Sequence, residues 1–185
     1  VSSADLTVDL SGPSSETITV DYTVTGTASG SGTDYTLADG TLTINSGDTS
    51  GTITIASIID DLIDESDETV IVTLSNPSNA TLGVNDVHTY TITDNDDAPT
   101  IAFNSVSSRG DESVSSADLT VDLSAESSQS VTVDYTVTGT AESGTDYTLA
   151  NGTLTINSGD TSGNITIASI IDDLIDESDE TVIVT

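Results

Sequence analysis

Six carboxylates fall within the nine residues from Asp60 to Glu68, in the stretch Ile58-Ile59-Asp60-Asp61-Leu62-Ile63-Asp64-Glu65-Ser66-Asp67-Glu68. No basic residue stands among them. Like charges this close repel strongly unless something neutralises them. Hard oxygen donors at close spacing suit a hard cation, and Ca²⁺ takes about six to eight of them. An isolated acidic run is more often a solvated loop. This one follows a β-strand pattern and returns unchanged as Ile170 to Glu180, which turns the reading toward metal.

The elements that must position these carboxylates also come in duplicate. Val1 to Leu10 returns as Val114 to Leu123, and Asp21 to Ala28 returns as Asp134 to Ala141. Thr36 to Thr73 returns as Thr148 to Thr185, with only Asp39 replaced by Asn151 and Thr52 by Asn164. The offset is 113 residues early in the chain and 112 after a deletion near Ser29. A period this long exceeds one turn of a solenoid and suits a whole sandwich domain of about 100 residues. The reading is therefore two tandem domains.

Within each domain the apolar residues recur at every second position. Leu6, Val8 and Leu10 form one such run, and Ile18, Val20, Tyr22 and Val24 another. Leu42 with Ile44, Ile53 with Ile55, Val70 with Val72 and Leu74, and Tyr90 with Ile92 follow, and Ile101 and Phe103 open the next domain. Period two predicts half-buried strands. Thr holds most outward positions, where its branched side chain fits the pleat. Gly12-Pro13, Gly26, Ser29 to Gly32, Asp39-Gly40, Ser46-Gly47-Asp48 and Asn76-Pro77 read as breaks between strands. No segment has a helical period. Short strands punctuated this often predict an all-β, Greek-key sandwich.

The 185 residues include 32 acidic and one basic residue, Arg109, for a formal charge of −31. Nucleic acid and anionic membranes need a positive surface, so neither is a natural partner. The regular alternation argues against disorder, the first alternative for so acidic a chain. The absence of Cys removes disulfide and thiol chemistry. No apolar run reaches the roughly 18 residues of a membrane span. Catalysis is not expected. A glycosidase reading of paired carboxylates would call for an aromatic cleft, and the chain has five Tyr, one Phe and no Trp. His88 is a lone surface or interstrand residue with no counterpart in the second repeat. Asn79, Asn151 and Asn164 begin glycosylation sequons.

The motifs Gly26-Thr27-Ala28, Gly32-Thr33-Asp34-Tyr35, Asp39-Gly40-Thr41-Leu42-Thr43-Ile44, Ile58-Ile59-Asp60-Asp61, Asp67-Glu68 and Ile92-Thr93-Asp94-Asn95-Asp96 occur in that order. Together they resemble the Calx-beta domain, a module of sodium–calcium exchangers and of large bacterial surface proteins. The resemblance covers nearly the whole chain. It implies immunoglobulin-like sandwiches of about seven strands, with calcium bound by loops at one end. It assigns residues 1–97 to a first repeat without its opening strand and 98–185 to a second without its last strands. Carried over by position, the implied calcium ligands are Asp34, Asp61, Glu65, Glu68, Asp94 and Asp96 in the first repeat. In the second they are Glu112, Asp146, Asp173, Glu177 and Glu180. Leu62 and Asn95 stand where further Asp residues occur in the fullest acidic pattern, so one or two ions per repeat are expected.

The expected function is that of a calcium-binding structural repeat in a large extracellular, cell-surface protein of bacterial type, an adhesin or fibre. Neighbouring copies of the repeat would be its partners, with a cell-surface or matrix ligand as a further candidate. Two alternatives stand beside it. One is a calcium-sensing regulatory module. The other is a cell-adhesion module acting through Arg109-Gly110-Asp111.

Overall fold

Alternating Val, Ile and Leu with Thr, Ser and Asp produces strands throughout the computed structural model, which describes residues 3–172 and 178–185. No helix forms among the described residues. The chain divides into two compact units, Val1–Leu62 with Ser66–Asn95, and Ile63–Glu65 with Asp96–Thr185.

The first unit contains β1 (Ser3–Asp9), β2 (Ile18–Gly26), β3 (Gly40–Ile44), β4 (Ser50–Ala56), β5 (Glu68–Ser78) and β6 (Val87–Ile92). Strands β1 and β4 pair antiparallel, and a second antiparallel sheet runs in the order β3-β2-β5-β6. One face of each sheet is apolar because side chains alternate across a strand. Ile53 and Ile55 of β4 bury with Val70 and Val72 of β5, and Leu6 and Val8 of β1 and Tyr22 and Val24 of β2 pack on them. Ile55 and Val70 are fully inaccessible. Each such side chain contributes about 1.5–3 kcal/mol on leaving water.

The second unit contains β7 (Ile101–Phe103), β8 (Ser116–Leu123), β9 (Val131–Tyr135), β10 (Val137–Gly139), β11 (Gly152–Ile156), β12 (Ser162–Ala168) and β13 (Val182–Val184). One sheet has the order β12-β8-β7, and β9 pairs with β11 and β10 with β13. Val121, Leu123, Ile156 and Ile165 form its core. Strands β9 and β10 are the counterpart of β2, interrupted at Thr136, which exchanges backbone hydrogen bonds of 2.8 and 3.0 Å with Thr185. Superposing the repeats, the two units define seven strand positions, and the architecture is the all-β sandwich expected.

One expected break is absent. Asn76-Pro77 lies inside β5, which continues to Ser78. The β2–β5 register shifts between Thr19, opposite Ser78, and Asp21, opposite Ser75. The extra residue forms a β-bulge, with Asn76 at φ 47°. A bulge leaves a residue outside the ladder, so the missing N–H of Pro77 does not end the strand. The Tyr residues serve the fold: Tyr35 and Tyr147 are buried, and the rings of Tyr22 and Tyr135 lie against Gly40 and Gly152.

Candidate metal centre

The end of the first unit where β2 stops and β5 starts is tied by a set of hydrogen bonds. The Thr69 amide donates to Thr27 Oγ1 at 2.8 Å, and the Ala28 amide donates to the Thr69 carbonyl at 3.1 Å. These bonds seat the Thr27–Asp39 loop, which carries Asp34, beside Glu68 at the start of β5. The Ile59 amide donates to the Asp34 carbonyl at 2.9 Å, which brings the beginning of the acidic run to the same loop. The Asp94 amide donates to Asp67 Oδ1 at 3.1 Å, and Glu68 is paired with Ile92 across β5 and β6. Asp34, Asp61, Glu68 and Asp94 are thus held on loops and strand ends at one pole of the unit. Asp34, Glu68 and Asp94 are half-buried there, whereas Asp61 is exposed. A half-buried carboxylate is costly unless its charge is compensated.

Two of the acidic side chains do local work. Asp34 Oδ2 accepts the Ser29 amide at 2.5 Å, closing its own loop. Asp67 accepts the Asp94 amide and so joins the end of β6 to the start of β5. Each uses one carboxylate oxygen in that bond. Glu65 and Asp96 belong to the second compact unit. So does Asp64, whose Oδ2 accepts Ser127 Oγ at 2.7 Å.

The second unit repeats the arrangement. The Thr181 amide donates to Thr140 Oγ1 at 2.9 Å, and the Ala141 amide donates to the Thr181 carbonyl at 3.2 Å, next to Glu180. The Ile171 amide donates to the Asp146 carbonyl at 3.0 Å, and Asp146 Oδ2 accepts the Glu142 amide at 2.6 Å. The Ile170 amide reaches the Ser115 carbonyl at 3.2 Å, bringing the chain just after Glu112 to the same end. Glu112 and Glu180 are exposed, and Asp146 is half-buried. Asp173 and Glu177 lie outside the described residues.

The donors at both poles are carboxylate oxygens, with no His or Cys, and this chemistry fits a hard cation such as Ca²⁺ rather than a softer metal. Among the described residues, no group of three or more Asp, Glu or His side chains converges to metal-holding distance.

Many other acidic residues are explained by the strands. Thr54 Oγ1 donates to Asp5, Thr41 to Asp21, Thr166 to Asp118 and Thr153 to Asp134, all at 2.6–2.7 Å. Asp39 Oδ1 accepts the Val24 amide at 2.7 Å, and Asn151 Oδ1 accepts the Val137 amide at 2.8 Å. The exchange of Asp39 for Asn151 between repeats was the one sequence signal for this role, since only the shared acceptor oxygen is needed. His88 is an exposed residue of β6 opposite Val72. Arg109, Gly110 and Asp111 are exposed in the connection between β7 and β8.

Residues 2–96 and 94–185 each match the Calx-beta domain. The chain belongs to the Calx-beta domain family. Among solved structures it is similar to CBD12 from CALX1.2, at 27% identity and a TM-score of 0.47, over 94% of this chain and 71% of that one. It is also similar to the calcium binding domain CBD12 of CALX1.1, at 30% identity and a TM-score of 0.47, over 91% of this chain and 69% of that one. The apo-form Calx CBD1 domain is similar at 33% identity and a TM-score of 0.46, over 51% of this chain and 84% of that one. No curated protein sequence matches the chain.

Proposed function

We propose that this chain is a calcium-binding, non-catalytic structural repeat of a large extracellular or cell-surface protein of bacterial type, which it extends and stiffens. The observation that supports the reading is the hydrogen bonding of the Asp34 loop to the start of the acidic run at Ile59 and of Asp94 to Asp67, matched in the second repeat by the bond from Ile171 to Asp146, in a chain of the Calx-beta family. Asp34, Asp61, Glu68 and Asp94, with Glu112, Asp146 and Glu180, are the ligands proposed. Asp173 and Glu177 complete the second set by the internal repeat, and the repeat boundary falls between Asp97 and Ala98. Neighbouring copies of the repeat are the partners. Near-identical repeats favour a spacer, because domains that each read a different ligand would have no reason to share Thr36 to Thr73 almost unchanged.

Calcium then acts as a ligand of the native state. It adds RT ln(1 + [L]/Kd) to stability, about 2.7 kcal/mol when free calcium exceeds Kd a hundredfold. Thermal unfolding of the 185-residue chain should therefore move to clearly higher temperature in millimolar calcium than in chelator. Magnesium should restore little of the shift, because its smaller octahedral shell fits this donor set poorly. Identical melting curves in calcium and chelator would end the calcium reading.

A further inference from the structure

Arg109 is the one Lys or Arg residue of the chain. It stands in the connection between β7, which ends at Phe103, and β8, which begins at Ser116. Every residue from Ala102 to Ser116 is exposed, and Val106 is fully open to solvent. Among the described residues, the backbone hydrogen bonds of this connection sit at its two ends. The Asn104 amide donates to the Thr120 carbonyl at 2.9 Å, the Val114 amide to the Asp111 carbonyl at 3.1 Å, and the Ile170 amide to the Ser115 carbonyl at 3.2 Å. Ser105 to Gly110 lies between them. Gly110 has no left-handed φ, and a Cβ there would meet Val114 at an ordinary 3.5 Å. An exposed connection of this kind is where proteases nick a folded chain, because cleavage needs several residues free to leave the fold.

A trypsin-like protease selects the residue before the cut with a pocket that has a carboxylate at its base, and an Arg guanidinium matches it. The 32 acidic side chains of this chain are refused by such a pocket, so it finds one bond to cut, Arg109–Gly110. Water adds across that amide, leaving a carboxylate on Arg109 and an ammonium on Gly110. The cut falls between two paired strands. Ile101 lies opposite Leu123, Ala102 opposite Asp122 and Phe103 opposite Val121. The Thr100 amide donates to Ser124 Oγ and the Ser124 amide to the Thr100 carbonyl, both at 2.9 Å. Asn104 Nδ2 donates to Asp122 Oδ2 at 2.5 Å, and Ile101 packs on the core of the second unit. None of these contacts passes through the Arg109–Gly110 bond.

We propose that Arg109–Gly110 is a processing site for an arginine-specific, trypsin-like protease, cut while the chain is folded, and that β7 stays on β8 after the cut. Processing then turns a covalent connection into a non-covalent strand joint inside the second unit. The inference does not rest on calcium binding, and the two fail separately.

The test adds trypsin to the folded 185-residue chain and, as a reference, to a synthetic peptide with the sequence of Ser105 to Ser115, with the products followed by mass spectrometry. Two products are expected from the chain, Val1–Arg109 and Gly110–Thr185, formed at a rate within about tenfold of the peptide's. Cleavage that waits for global unfolding is slower by a factor on the order of 10³ or more, and that result would overturn the proposal. An Arg109→Gln chain should keep the parent's melting curve and stay whole. Its cleavage would place the cut elsewhere and overturn the assignment. Gel filtration of the nicked chain should give one peak in buffer and two in denaturant. The Ser124 amide, which β7 covers, should keep its protection from hydrogen exchange after the cut. Two peaks in buffer, or loss of that protection, would overturn the retained strand.

Discussion

Asp61 and Asp67 carry the same charge six residues apart and do different work. Asp67 accepts the Asp94 amide and holds two strand ends together. Asn in its place still offers an acceptor oxygen, so that bond survives the loss of charge. Asp61 is exposed at the pole where the loops meet, and its proposed task needs an anionic oxygen. Asp61→Asn should therefore weaken calcium binding by about tenfold or more, and Asp67→Asn by only a small factor. Calorimetry of the two variants decides the matter. Equal losses would reduce the site to a diffuse negative field. The pair Asp39 and Asn151 illustrates the same rule in the natural sequence, where a carboxylate used only as an acceptor has given way to an amide.

At the scale of elements, the pole depends on how closely β2 approaches β5. Gly26 closes β2 at φ +136°, and a Cβ there would lie 2.0 Å from the Thr69 carbonyl oxygen. Gly139 repeats this at φ +142° and 2.0 Å from the Thr181 carbonyl oxygen. Both the backbone conformation and the space exclude a side chain. The same carbonyl accepts the Ala28 amide that seats the Asp34 loop. Gly26→Ala should push β2 from β5 and destabilise the first unit by roughly 3 kcal/mol or more, a core-strain effect. Chemical denaturation should show this as a lower midpoint. A compensating shift would instead leave stability intact, and calcium affinity would then report how far the loop had moved.

For the whole molecule the governing quantity is a charge of −31 on 185 residues. Charges on the surface are screened beyond about 8 Å at physiological ionic strength, so repulsion acts chiefly within loops and between near neighbours. A cation bound at each pole would remove the densest part of it. If the repeat is a stiff spacer, small-angle scattering in calcium should give a longer and narrower distance distribution than in chelator, at the same ionic strength. Superimposable distributions, with both units still folded, would refute the stiffening role and leave calcium binding untouched.

Strand positions, the tandem organisation and the absence of helix among the described residues were legible in the amino-acid sequence, because period-two alternation and direct repetition are local properties. Leu6, Val8 and Leu10, or Ile53 and Ile55, announce a buried face wherever their partners lie. The motif order singled out Asp34, Asp61, Glu68 and Asp94 as candidate ligands. Only the tertiary structure decided what each carboxylate touches. Asp5 meets Thr54 from 49 residues away, and Asp67 meets the Asp94 amide from 27. Those partners depend on which strands lie side by side and in what register, and alternation along one strand carries no record of its neighbour. The same holds for Asn76-Pro77, which reads as a break in isolation and becomes a bulge because β2 continues to pair past it.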